Sequence, residues 1–400
     1  MKKKKQLRMF AVAMLLTSLS AFISGCWDSH DLNKSAITAG IGFDIDPKTG
    51  EHLITYQTII PSKVKSSSAG SSDEQTGGGI APAVNLDHLK GTTWLEALGN
   101  YGTQENRSVF FSHNQLDIMG KEVAKQGVYP VIEHAARITQ SRPNNLLLIA
   151  QDKASDIMAA RDGMDVIPAI GIANEVKQSA EFSKFPAVTR LEFANRLMSK
   201  TTAPILPIIG IFEETAPEGK TFNKVRIKGT AVFKWDKMVG ELNEQESRGL
   251  LWVTNKIKKG FVVIDAPDGS GKASLTITQA KSKIIPQLTD GKITINVVIE
   301  EQGDLIEYKG SKDMDVILLK QFEERQDEAI QNEVMAALNK SLALNADVFG
   351  FGEAVHRKYK KEWQDISSRW DEIYLDIEVA IQVKTHINET GDISKAIIPQ

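Results

Sequence analysis

The polarity pattern of this 400-residue chain changes period several times, and each change marks an element. SAITAGIGFDID and EHLITYQTII, within residues 35–60, alternate or run β-branched. PKTG between them carries the Pro and Gly of a tight turn, so a hairpin is expected. PSKVKSSSAGSSDEQTGGGIAPA, residues 61–83, has few apolar side chains with which to offset its ordering entropy. It reads as a mobile loop inserted between strands that pair with each other. At TTWLEALGNYG the period becomes helical, with Thr92 or Thr93 as N-cap and Glu96 placed for a capping box. A strand in SVFFSHNQLDIMG, a helix in KEVAKQGVYPVIEHAARI and an apolar strand NNLLLIAQ follow, and KASDIMAA starts another helix. Residues 163–186 read as irregular, 189–200 as a helix, and APILPIIGIF as a Pro-punctuated run.

The second half starts afresh near Val225. RIKGTAVFKWDKMVGEL has a hairpin pattern, NEQESRGLLWVTNK a helical one, and the segment from Phe261 to Leu305 gives three or four strands separated by DGSG and TDG turns. From Asp313 to about Leu344 a long amphipathic helix is expected, with Ile317, Leu318, Phe322, Ala329, Ile330, Val334, Ala337, Leu338 and Leu342 on one stripe. NADVFGFG breaks it, EAVHRKYKKEWQDISSRW reads as a second helix, and LDIEVAIQVKTHI as a closing strand of clean period two. The expected fold class is α+β: multidomain mixed α/β with mainly antiparallel sheets and long amphipathic helices in the C-terminal domain. The expected division is 1–25 as a leader, 26–200 as an N-terminal mixed α/β domain, 201–224 as a connecting segment and 225–400 as a C-terminal α+β domain.

Charge and cysteine content sharpen the leader. Lys2 to Lys5 and Arg8 precede Met9 to Ile23, 15 residues without a charge. That is short of the roughly 20 a transmembrane helix needs, and has the build of a signal peptide. It ends in Ile23-Ser24-Gly25-Cys26, which is similar to a bacterial lipobox and contains the only cysteine of the chain. Small residues let an extended backbone enter a lipoprotein signal peptidase. The Cys26 thiolate takes a diacylglyceryl group through a thioether, and cleavage leaves Cys26 first, free for N-acylation with a chain such as palmitate. A single acyl chain holds a protein only marginally at about 0.8 kcal/mol per buried CH₂, so two are needed. Removing residues 1–25 takes away five positive charges and no negative ones, which moves the formal charge from −3 to −8. No Lys/Arg-rich nucleic-acid-binding run is left. With Cys26 lipidated, intrachain disulfides, cysteine zinc sites and cysteine catalysis are excluded.

Other candidate chemistry dissolves on inspection. Asp268 to Lys272, DGSGK, lacks the first Gly of a phosphate loop, since Ala266 stands there, and lacks Ser or Thr after Lys272. It reads as a hairpin turn. The seven histidines include no pair at i, i+4, and no G-x-S-x-G occurs. Asp44 and Asp46 fall short of a calcium loop because Lys48 occupies the fifth position, so they read as charges beside a turn. Trp363 and Trp370 lie two turns apart and fit core packing better than subunit packing. No catalytic residue, cofactor site or metal site is expected.

ISGCWD, ITAGIGFDID, VFFSHNQLDIMGKEVAKQGV, GTAVFKWDKMVGELNEQESRGLLWV and the segment from NADVFGFG to VKTHI, taken in order, resemble the Ger(x)C family. These are the lipoprotein C subunits of nutrient germinant receptors in endospore-forming bacteria. The resemblance covers nearly the whole chain after the leader. It implies a non-enzymatic subunit on the outer face of the spore inner membrane, acting with a polytopic A subunit and a transporter-like B subunit. The family's one residue of defined chemistry, the lipidated cysteine, maps onto Cys26, and no germinant-contacting residue is carried over. The turn from Phe349 to Gly352 and the helix after it are expected to help hold that complex together. Two other classes stay open: a stand-alone extracytoplasmic solute-binding lipoprotein, which needs a cleft between two similar lobes, and a cell-envelope hydrolase.

Overall fold

Five consecutive apolar residues need cover on both faces of a strand, and LLLIA finds it: β6 (Leu146–Ala150) is buried along its whole length. A computed structural model describes residues 5–6, 9–11, 14, 35–61, 63–64, 83–101, 108–137, 142–160, 165–215, 219, 221–310 and 314–389. Cys26 and nearly all of the Ser/Gly-rich stretch 61–83 lie outside them. Around β6 the described residues form a nine-stranded sheet, ordered β3-β2-β1-β5-β6-β7-β8-β9 with β4 paired to β1. The expected hairpin is β1 (Ser35–Ile45) and β2 (His52–Ile59), followed by β3 (Val84–Gly91), β4 (Ser108–Phe110) and β5 (Leu116–Met119). Beyond β6 come β7 (Ile205–Thr215), β8 (Thr221–Lys234) and β9 (Lys237–Leu242).

Helices cover both faces of this sheet. On one face α4 (Ala154–Ala159) and α5 (Pro168–Glu181) pack Ile157, Met158, Ile172 and Val176 against Leu116, Ile118, Leu146 and Leu148. On the other lie α1 (Trp94–Gly99), α2 (Lys121–Gln126), α3 (Tyr129–Arg137), α6 (Arg190–Met198) and α7 (Glu244–Val253). The caps follow the sequence: Glu96 N–H donates to Thr93 Oγ1, and Thr189 with Glu192 and Asn243 with Glu246 form complete capping boxes. Helix α5 falls in the stretch expected to be irregular. Pro168 does not break it, because at the first turn a missing N–H costs no intrahelical bond.

A four-stranded sheet follows, ordered β10-β11-β12-β13, from β10 (Phe261–Asp265), β11 (Lys272–Thr289), β12 (Lys292–Tyr308) and β13 (Glu378–Glu389). The DGSG stretch is the β10–β11 turn, with Gly269 and Gly271 at positive φ. Helix α8 (Val316–Ala343) packs Leu318, Phe322, Ile330, Val334 and Ala337 on this sheet, whereas Ile317 is exposed because it sits about 100° round the helix from Leu318. The expected second helix is broken into α9 (Phe351–Lys358), α10 (Trp363–Ile366), a 3₁₀ turn at Ser367–Arg369 and α11 (Trp370–Leu375). Tyr359 leaves helical geometry and its hydroxyl accepts the Leu288 N–H at 3.2 Å, while Lys358 Nζ donates to the Pro286 carbonyl at 2.7 Å. The interruption lets this segment cover the open edge of β11.

Two expectations need correction. The sheets are mixed rather than mainly antiparallel: β1–β4, β1–β5, β5–β6, β6–β7 and β12–β13 pair in parallel, beside six antiparallel pairings among the described residues. The cause is that helices carry the chain from β5 to β6, from β6 to β7 and from β12 to β13, and such crossovers bring strands back in parallel. The segment expected to be a connection, 201–224, carries β7 and the start of β8, and the hairpin β8–β9 completes the first sheet. One apolar cluster consequently runs from Ile41, Leu147 and Ile149 through Leu250 and Trp252 to Leu275, Ile295 and Phe322, joining both sheets.

Glu301 of β12 is 1 % exposed, with Oε2 accepting from Gln326 Nε2 of α8 at 2.9 Å. Its Oε1 and Gln326 Oε1 have no partner. Burial first, then Asp327 and Asp304, push its carboxyl up to about 8 from an ordinary 4.5. A group whose pKa is raised on folding binds its proton more tightly in the folded chain, so the stability it carries is lost as pH rises between the two values. Equilibrium urea unfolding is expected to show wild-type stability falling from about pH 5 to about pH 8. Glu301→Gln, a neutral isostere able to pair twice with Gln326, is expected to flatten that slope, and an unchanged slope refutes the assignment.

Candidate functional site

The segment NADVFGFG stops α8 because it must turn the chain back across the first sheet. Gly350 takes φ +77°, a left-handed value that costs glycine nothing. A Cβ on Gly352 would stand 2.7 Å from the Thr201 side chain and 2.8 Å from Trp370, so only glycine fits that contact. The turn is held by Asp347, 3 % exposed. Its Oδ1 accepts from the amides of Gly350 at 2.8 Å and Phe351 at 3.0 Å, and its Oδ2 from Gly352 at 2.8 Å. These are donors that the first turn of α9 would otherwise leave unsatisfied. Burial pushes the Asp347 carboxyl up to about 6, against the pull of these amides and of the Trp370 indole.

The same turn hooks the two sheets together. Ala203 N–H donates to the Asp347 carbonyl at 2.8 Å, and Phe233 N–H of β8 to the Pro204 carbonyl at 2.9 Å. Arg196, on α6, gives Nη1 to the carbonyls of Ala203 at 2.9 Å and Val348 at 3.1 Å. Beneath lie Phe349 and Phe351, stacked with centroids 5.0 Å apart, and Trp370 tilted against Trp363 at 5.7 Å and Tyr374 at 6.2 Å. Ser341 Oγ closes the base by bonding the Tyr374 hydroxyl at 2.6 Å. A cleft of about 390 Å³ opens beside the turn, lined among others by Thr201, Lys234, Trp235, Trp370 and Asp371. Lys234 Nζ and Asp371 pair across it at 2.9 Å, and Trp235 stands 66 % exposed at its mouth.

Chemically this arrangement fastens. The Asp347 carboxylate is committed to three amides and Arg196 donates to two carbonyls, so neither is offered as a base or an anion receptor. The turn from Phe349 to Gly352, expected with the helix after it to help hold a complex together, packs inward: Phe349, Phe351 and Gly352 are buried. Trp363 and Trp370 are core residues, as the sequence favoured. Asp46 does sit in the β1–β2 turn, accepting from Lys48 N–H at 2.8 Å. Asp44 departs from that reading. It is buried, and its carboxylate caps α4 by accepting from Ala154 and Ser155 N–H at 2.8 and 2.9 Å.

Sequence reasoning missed three ionic fasteners, two of them buried and the third partly buried. Asp347 had a usable signal, an acid three residues before a G-x-G turn that opens a helix. Arg190 Nη2 pairs with Asp117 Oδ2 at 2.9 Å, tying α6 to β5. Glu333 of α8 receives Arg248 Nε at 2.8 Å and Trp252 Nε1 at 2.7 Å from α7. The last two join residues 73 and 85 positions apart and left no local pattern. Among the described residues no group of three or more His, Cys, Asp or Glu could hold a metal ion, and no helix is long and apolar enough to cross a membrane.

Two family descriptions match the chain in tandem: "Spore germination protein N-terminal domain" over residues 28–211 and "Spore germination B3/GerAC like, C-terminal" over residues 228–391. The chain is 26% identical over 402 residues to "Spore germination protein KC" of Bacillus subtilis (strain 168), covering 96% of each chain. It is 24% identical over 419 residues to "Spore germination protein YndF" of the same organism, covering 98% of this chain and 99% of that one. The crystal structure of the GerBC protein shares the fold at TM-score 0.56 and 17% identity, over 90% of this chain and 100% of that one.

Asp347→Ala is expected to leave three buried amides without an acceptor and to cost about 2–4 kcal/mol in urea unfolding at neutral pH. A loss below about 1 kcal/mol would show that the turn does not depend on its carboxylate.

Proposed function

We propose that this chain, which belongs to the spore germination B3/GerAC family, serves as the lipid-anchored, non-enzymatic C subunit of a nutrient germinant receptor. The observation that carries the reading is the tandem match to both halves of the family, in order and over most of the chain, on a sequence that carries Ile23-Ser24-Gly25-Cys26 behind a positive and apolar leader. In this reading Cys26 bears S-diacylglycerol and N-acyl chains, and the body lies on the outer face of the spore inner membrane. Two lipid chains give durable anchoring where one does not. Anchoring turns association with the membrane-embedded A and B subunits into an effectively intramolecular event at high local concentration.

Relatives carry names in keeping with such a system, including "Spore germination protein B3" and "Spore germination protein A3" of Bacillus subtilis. The solute-binding alternative called for two similar lobes around a cleft. The two sheets here are unlike, one of nine strands and one of four among the described residues, and share one apolar cluster.

The test compares spores carrying the wild-type chain with spores carrying Cys26→Ala, in a background lacking related receptors. Loss of the protein from the membrane fraction together with loss of nutrient-triggered dipicolinic acid release is expected. Full membrane retention of Cys26→Ala would remove the lipid anchor from the account. Unchanged nutrient responses after deletion of the whole gene would remove the germination role.

A further inference from the structure

Strand β13 ends the second sheet, and its outer edge is closed along only half its length. Toward its C-terminal end α8 covers that edge: Thr385 N–H donates to Asp327 Oδ1 at 2.7 Å and Ile387 N–H to Glu323 Oε1 at 3.0 Å. Amide direction alternates with period two along a strand, so the N–H groups of Val379, Ile381 and Val383 point to that same outer side. Among the described residues none of these three has a hydrogen-bond partner there, since β12 occupies the opposite side in parallel register.

An open edge is a template for another strand, and charged side chains or proline on it commonly guard against indiscriminate pairing. The charges of β13 are instead arranged to match a second copy of the same strand. Glu378 and Lys384 stand three residues either side of Ile381, both exposed, with Val379, Ala380, Gln382 and Val383 between them. When the strand EVAIQVK is laid antiparallel on itself about Ile381, Glu378 falls opposite Lys384 of the second copy, and Lys384 opposite its Glu378. The same register sets Val379 opposite Val383 and Ile381 opposite Ile381. All three open amides and their carbonyls then meet as hydrogen-bonded pairs. The charged pairs occupy the closer, non-hydrogen-bonded positions, with Cα atoms about 4.5 Å apart. Shifting by one residue turns the open amides away from each other. Shifting by two sets Glu378 opposite Gln382 or His386 and loses the Glu378–Lys384 match within the strand, the first of these registers placing Lys384 opposite Asp376, which lies outside β13 at the C-cap of α11.

We propose that two copies of this chain associate through an antiparallel β13–β13 pairing over residues 378–384, forming one continuous eight-stranded sheet across a twofold axis. The charge complementarity of the strand with its own reverse selects a second copy over an unrelated extended segment. The exposed bridge from Lys292 to Glu378 within one copy does not compete strongly, because surface pairs of this kind are weak and can be shared.

Sedimentation equilibrium of the mature lipidated chain in density-matched detergent tests this, with Glu378→Lys, Lys384→Glu and the double exchange alongside. The expected result is a dimer whose dissociation constant rises at least about tenfold in each single variant, where two attractive pairs become repulsive, and returns toward wild type in the double exchange. Unchanged thermal midpoints across the set separate loss of pairing from loss of folding. A monomeric wild type overturns the proposal, as does a dimer indifferent to the single changes or not regained by the exchange. An extended segment of another protein protecting the Val379, Ile381 and Val383 amides of a monomer overturns it too.

Discussion

One buried carboxylate sets the relation between the halves of this molecule. Asp347 turns the chain after α8 by taking three successive amides, and its own carbonyl accepts the Ala203 N–H just before β7. Burial opposes its charge, which is why the carboxyl titrates high, and the amides repay that opposition because they too would be unsatisfied. Arg196 bridges the carbonyls on both sides of the join. With this turn in place, Phe351, Trp370 and Tyr374 fall into the core and β13 is delivered beside β12. The Arg248–Glu333 pair, about a fifth or less exposed, secures α7 against α8 on the far side of the same core. Such pairs are worth more as specifiers of a contact than as net stability, because desolvation offsets much of their attraction.

Much of this was legible in the sequence, and the failures have physical causes. The β1–β2 hairpin, the capped helices at Thr93, Thr189 and Asn243, the α8 stripe and the closing strand all carry their period or cap locally. Strand direction does not: TAGIG or LLLIA reads alike in a parallel and an antiparallel sheet, and the neighbour is decided by helices tens of residues away. The helix α5 was hidden by its own Pro168 and Gly171, and the break at Tyr359 by the need to cover an edge of β11 that only the tertiary fold exposes. At the candidate site, the glycines and aromatics of NADVFGFG announced a special turn. The partner of that turn, residues 201–204, could not be read from local pattern because it lies some 145 positions earlier.

This build suits the proposed role. In the proposed role a lipid anchor at Cys26 would carry a body whose two sheets share a core, so that a push on one sheet is passed to the other rather than absorbed at a hinge. Cores pack too densely to deform smoothly and so transmit displacement. The surfaces left for partners are then the edges and faces that the core does not use, among them the open half of β13 and the cleft beneath Trp235.

The claim on which the account turns is that both sheets form one cooperative unit fastened at Asp347. Native-state hydrogen exchange of the mature chain, read at the amides of β6 and of β12, measures it directly. Opening free energies that agree within about 1 kcal/mol are predicted, since neither sheet can open without breaching the shared core. A β12 that exchanges through an opening about 3 kcal/mol or more below that of β6 would show two separately folding units, and would contradict the account.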